Sequence, residues 1–163
     1  MACTFVSGTG FAAPTAASAP LLMRMAAVLL LLGLPAAAAA ASTVEVQVQG
    51  LRNARGVVRL CLTRSPAFFP DCNRDPAALR RSVPAGQAAG ISLGDVAPGV
   101  YALSVMHDEN GNGRLDRFLA IPREGFAFSR NPRLRMGPPR FEEARFEIAG
   151  AVVRQTVRMK YLL

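Results

Sequence analysis

The sequence of 163 residues contains no tryptophan, one histidine (His107), one lysine (Lys160) and three cysteines. Without tryptophan the usual sugar-stacking platform is missing. A lone histidine excludes a metal centre built on several imidazoles. No serine or cysteine nucleophile motif accompanies His107, and its parity in the surrounding strand turns it away from Asp108, so a structural, hydrogen-bonded histidine is expected there. The 19 basic residues are scattered, with neither a helix-periodic basic face nor the aromatic-basic pattern of a nucleic-acid reader. Nucleic acid is therefore not an expected partner.

Met23-Arg24-Met25, the apolar run Ala26 to Leu34, Pro35 and the small residues Ala36 to Ala41 follow the order of a secretory signal. The run is shorter than the roughly 20 strongly apolar residues of a spanning helix, which disfavours a membrane anchor. Cleavage is expected near Ala41, with Ala39 and Ala41 as the small pair, and residues 1–22 read as leader or as sequence upstream of the true start. The remaining chain, 42–163, has the length of one domain. Removing Arg24 from the 19 basic residues leaves 18 against 11 acidic ones, a net charge of +7. Such a chain is expected to be exported, periplasmic or secreted, and not membrane-spanning once processed. Its excess charge favours loose attraction to an anionic envelope surface.

Cys3 falls in the leader, so Cys61 and Cys72 remain as a pair. An oxidising compartment makes a disulfide the expected state, with metal-binding thiols as the rival. Val44, Val46 and Val48 alternate with Glu45, Gln47 and Gln49 as in a strand with one dry face. The run 57–62 reads as a second strand, antiparallel to the first. Asp75 to Leu79 reads as a single helical turn, followed by a polar connection. Ile91 to Leu93 and Val100 to His107 read as further strands, the latter burying Tyr101, Leu103, Val105 and His107. Residues 108–139 read as one long irregular segment. Its Phe126 and Phe128, like Phe68 and Phe69 earlier, fit core filling better than a ligand surface. Two last strands are expected over 144–148 and 152–161. The sum is an all-β fold, a single antiparallel β-sandwich of about six or seven strands.

The most distinctive run is Asp108-Glu109-Asn110-Gly111-Asn112-Gly113-Arg114-Leu115-Asp116. Asp108, Asn110, Asn112, the carbonyl of Arg114 and Asp116 stand at the first, third, fifth, seventh and ninth positions of an EF-hand-type loop, with Gly113 at the sharp turn. Leu119 occupies the twelfth position, where a bidentate glutamate belongs, so weak calcium binding is the expectation. Glu109 and Glu124 are candidates to complete the shell. The alternative is a metal-free cluster of Asx turns, in which Asp108→Ala costs about 1 kcal/mol.

The run His107 to Asp116, then Ile121-Pro122-Arg123-Glu124-Gly125-Phe126 and Phe128-Ser129-Arg130-Asn131, resembles a family of exported bacterial proteins known only as a domain of unknown function. The likeness extends over Val44 to Tyr161 and includes Pro98-Gly99-Val100-Tyr101. It implies an exported single domain with a prealbumin-like or carboxypeptidase-regulatory-like sandwich, and it implies no activity. The expected function is an exported, non-enzymatic binding or accessory module serving an envelope or extracellular partner. A hydrolase acting on envelope polymers through Asp108, Asp116 or Glu124 is the alternative, and a purely structural envelope protein is a third.

Overall fold

The computed structural model describes residues 40–163 apart from Met136. The leader and signal expected over residues 1–41, and Cys3 with them, lie outside the described residues except for Ala40 and Ala41. Among the described residues no helix is long and apolar enough to cross a membrane.

The fold is all-β. Among the described residues its strands are β1 (Ser42–Gln49), β2 (Val57–Thr63), β3 (Leu79–Pro84), β4 (Ile91–Val96), β5 (Gly99–Asp108), β6 (Arg117–Phe118), β7 (Ile121–Pro122), β8 (Gly125–Phe128), β9 (Phe146–Ile148) and β10 (Val152–Arg158), with a short α-helix, α1 (Phe141–Ala144), before β9 and single 3₁₀ turns at Cys72–Arg74 and Ala85–Gln87. One sheet runs β10-β1-β4 and the other β3-β2-β5-β8, with β9 also pairing β5; β6 and β7 form a separate hairpin. Alternation decides which faces are dry. Val44, Val46 and Val48 from the first sheet and Val58, Leu60, Leu62, Leu103 and Val105 from the second join one hydrophobic cluster. The opposite face of β5 is covered by a smaller cluster of Ala102, Phe128, Phe141 and Ala144, against which Phe69 and Phe126 pack. Phe69 meets the rings of Phe128 and Phe141 edge-on, at 5.7 and 6.0 Å between centroids. Phe69, Phe126 and Phe128 fill a core as the sequence suggested, Phe141 joins them unannounced, and Phe68 belongs to neither cluster.

Several expectations need correction. The first two strands do not pair with each other: β1 lies antiparallel to β4 and parallel to β10, so the sheets are not wholly antiparallel. The helical turn sits at Cys72–Arg74, where Asp71 accepts a bond from the amide of Asn73. Asp75 instead makes an Asx turn with the amide of Ala77 and receives the buried hydroxyl of Thr63. The polar connection after it contains β3, an edge strand. Arg80 of β3 reaches back to the carbonyls of Cys72 and Asp75, both at 2.6 Å. The segment 108–139 holds three short strands, and the strand expected from Ala144 begins at Phe146, because Ala144 closes the helix Phe141–Ala144.

Cys61 and Cys72 form a disulfide across a Cα–Cα distance of 6.2 Å. Closing so short a loop contributes roughly 3 kcal/mol on the chain-entropy model. The bridge ties the end of β2 to the turn that β3 anchors.

Candidate functional site

The Asp108 side chain is fully buried at the end of β5. One of its carboxylate oxygens accepts from Arg59 Nε at 2.7 Å and from the Gly113 amide at 2.8 Å, the other from the Asn112 amide at 3.0 Å. Arg59 comes from β2, the neighbouring strand, on the face opposite Val58 and Leu60. Further round the loop, Asn110 Oδ1 accepts from the Asn112 amide at 3.0 Å and Asn112 Oδ1 from the Arg114 amide at 2.8 Å. Both are Asx turns, in which a short side chain replaces a backbone acceptor two residues on. Gly111 and Gly113 take positive φ, +73° and +79°, as so tight a path requires. The side-chain Nδ2 atoms of Asn110 and Asn112 both donate to the carboxylate of Asp116, at 2.7 and 3.0 Å.

All five residues read from the sequence therefore sit in one loop, and four of them share bonds through their side chains. Arg114 takes part through its backbone. Two organising residues lay outside that set. Arg59 is one; the signal for it was an arginine inside the apolar strand Val57–Thr63. Glu124 is the other. It is buried, and its two carboxylate oxygens receive the amides of Glu109 and Asp116, each at 3.1 Å. Glu124 thus clasps both ends of the loop from beneath.

The electrostatics separate these acids. Burial raises the pKa of Asp108, but the bonds from Arg59 and Gly113 and the Arg59 charge outweigh it, so the carboxyl lies below its ordinary 3.8. For Glu124 burial dominates, and the charges of Asp108 and Asp116 add to it. Its pKa lies above the ordinary 4.5 despite the two amide bonds. Asp108 therefore adds stability above pH 3.8 that is lost as pH falls through its lower folded value. Glu124 adds stability below pH 4.5 that is lost as pH rises through its higher folded value. Carboxyl NMR titration is expected to place the midpoint of Glu124 above 4.5 and that of Asp108 below 3.8; the opposite order would refute this assignment.

Beside the loop, Glu109 holds Arg52 Nε at 2.6 Å and Asn53 Nδ2 at 3.0 Å. The Arg52 guanidinium lies 4.6 Å over the ring of Tyr161. Both ring nitrogens of His107 have partners. Its Nε2 donates to the carbonyl of Arg55 at 2.8 Å, and its Nδ1 shares a hydrogen bond of 2.7 Å with the Tyr161 hydroxyl. Neither nitrogen is free to act on a substrate, in line with a structural histidine.

Among the described residues no group of three or more His, Cys, Asp or Glu side chains gathers as a metal site. The loop's donor set is instead two carboxylates, two amides and backbone carbonyls. A shallow cavity of about 210 Å³ beside it is lined by Arg52, Glu109, Asn110, Asp116, Arg123 and Glu124. A larger open cleft of about 510 Å³, near Val100, Arg130, Arg145 and Phe146, lies away from the loop.

Residues 46–156, from within β1 to within β10, match the family model described as uncharacterized protein conserved in bacteria, DUF2141. The chain belongs to that family. The matched span includes the Asp108 to Asp116 loop, Arg59 and Glu124 of this DUF2141 protein. No curated protein and no solved structure matches the chain.

Proposed function

We propose that this DUF2141 protein is an exported, non-enzymatic binding or accessory module, a prealbumin-like sandwich whose 108–116 loop takes calcium weakly. The observation that supports the reading is the convergence of Asp108, Asn110, Asn112 and Asp116 in one loop that Glu124 closes from below. A carboxylate offers about four acceptor positions, and three of those on Asp108 already hold protein donors. Asp108 is then at most a single-point ligand. Asp116, the two amides and the Arg114 carbonyl supply the rest, and Glu124 adds negative charge without a free face. Few charges and neutral amides place the affinity in the roughly 10⁻⁴ to 10⁻³ M range of extracellular modules.

Calcium tenfold above its dissociation constant stabilises a folded protein by about 1.4 kcal/mol. For a domain of this size that raises the melting temperature by about 5 °C. Calorimetry of the protein with and without about 10 mM calcium is the test. An unchanged melting curve and no heat of binding would remove the metal from this reading.

The hydrolase alternative draws support from Glu124, since a carboxyl with a raised pKa beside an ionised one suits acid and base work. Against it, both Glu124 oxygens are held by backbone amides and no nucleophile stands nearby. The binding module remains the better supported of the two.

A further inference from the structure

The β6–β7 hairpin projects an apolar tip that the core does not use. Phe118 is 61 % exposed, Leu119 88 % and Ile121 42 %. Phe118 and Ile121 are directly paired across the two strands, so their side chains share one face, while the next pair, Arg117 and Pro122, takes the other. Leu119 and Ala120 form the two-residue turn between them. Leu119 sits at φ +57°, in the region that such a turn normally gives to glycine. A turn needed only to reverse the chain has no use for a strained, exposed leucine.

The charges around the tip are arranged by burial. Two of its acids are withdrawn and the third is tied down: Glu124 is buried, Glu109 is paired with Arg52 and Arg55, and the half-buried Asp116 holds the side-chain amides of Asn110 and Asn112. Its arginines point out: Arg114, Arg117 and Arg123 are all exposed, and among the described residues none of the three enters an ion pair. The base of the hairpin is fixed. The Arg123 amide bonds the Asp116 carbonyl at 2.9 Å, and the Asp116 amide is held by Glu124. An apolar tip with a basic collar on a rigid base complements one kind of surface, in which anionic headgroups overlie acyl chains.

We propose that the β6–β7 hairpin docks this protein on an anionic lipid surface, with Phe118, Leu119 and Ile121 entering the headgroup–acyl boundary and Arg114, Arg117 and Arg123 meeting phosphates. This rests on the reading of the chain as a binding module and names its partner, but it does not need the cation.

The chain contains no tryptophan, so Phe118→Trp makes the hairpin its own reporter. Apolar sequence elsewhere in the chain cannot mimic the signal. The test uses vesicles of phosphatidylcholine with and without phosphatidylglycerol, in EDTA, so that failure here is separable from failure of the calcium reading. Anionic vesicles are expected to shift the emission to the blue, with quenching by lipids brominated in their acyl chains. Arg117→Gln and Arg123→Gln on that background each weaken binding about fivefold, and Leu119→Gly weakens it about tenfold. Leu119→Gly is also expected to leave the melting temperature unchanged or raised, because glycine takes the positive φ freely. Emission that ignores anionic vesicles, or answers neutral ones equally, overturns the proposal. A blue shift on concentrating the protein without lipid overturns it in favour of a second copy as the occupant. A Leu119→Gly variant that melts lower yet binds vesicles as before assigns the leucine to the fold and overturns it too.

Discussion

Gly56→Ala is expected to lower stability by at least about 4 kcal/mol, enough to leave much of the protein unfolded at ordinary temperatures. A Cβ on Gly56 would stand 2.1 Å from the carbonyl oxygen of Asp108 and 2.7 Å from backbone atoms of Glu109. These are main-chain atoms at the point where β5 enters the loop, and the pairing of Val57 with Asp108 holds them in place. The neighbour cannot swing aside as a side chain would. Gly56 also has φ +68°, which adds strain of about 1–2 kcal/mol for alanine. Gly111→Ala is the natural control, since that glycine shares the positive φ but has nothing within 4 Å of the added carbon. Denaturant midpoints should separate the two variants by roughly 2–3 kcal/mol. Equal losses would mean that the close approach beneath the loop is not a constraint.

The second large effect belongs to Asp108. Asp108→Ala is expected to cost about 3 kcal/mol, because it strips acceptors from two amides and from the Arg59 guanidinium at once. Arg59 is partly open to solvent, which keeps the loss below that of a fully buried ion pair. A double-mutant cycle with Arg59→Ala should show coupling, as residues bonded to one another do. A loss of about 1 kcal/mol with no coupling would return the residue to the isolated Asx turn considered from the sequence.

Much of this architecture is written in local pattern. The valines of β1 and the odd-numbered apolar residues of β5 alternate with polar or smaller ones, and both strands bury the faces that the alternation indicates. The Asp-Asn-Gly run names its own loop, since its bonds span only a few residues. What the pattern conceals is of two kinds. Strand β3, Leu-Arg-Arg-Ser-Val-Pro, is an edge with little buried area, so nothing in it alternates. Strands β6 to β8 are two to four residues long and lie among prolines and glycines that normally mark turns. Pairing is concealed as well. The partnership of Arg59 with Asp108 crosses 49 residues, and only the register of β2 against β5 brings them together. Glu124 is legible as an acid in a distinctive motif, but its grip on two amides follows from the hairpin that the loop feeds.

The side-by-side arrangement of β1 and β10 governs how the molecule is assembled. Glu45 and Arg154, ion-paired across that seam, are 109 residues apart in the chain. Among the described strands β1 comes first along the chain and its flanking partner β10 last. Until β10 pairs with it, β1 has an open edge of unsatisfied amides and carbonyls, a template for any other extended segment nearby. Closing so long a loop carries a larger entropic cost than closing the local hairpins, and contacts of this span go with slower folding. The final strand acts as a latch: losing its few residues would do more harm than an equal deletion from the exposed turns.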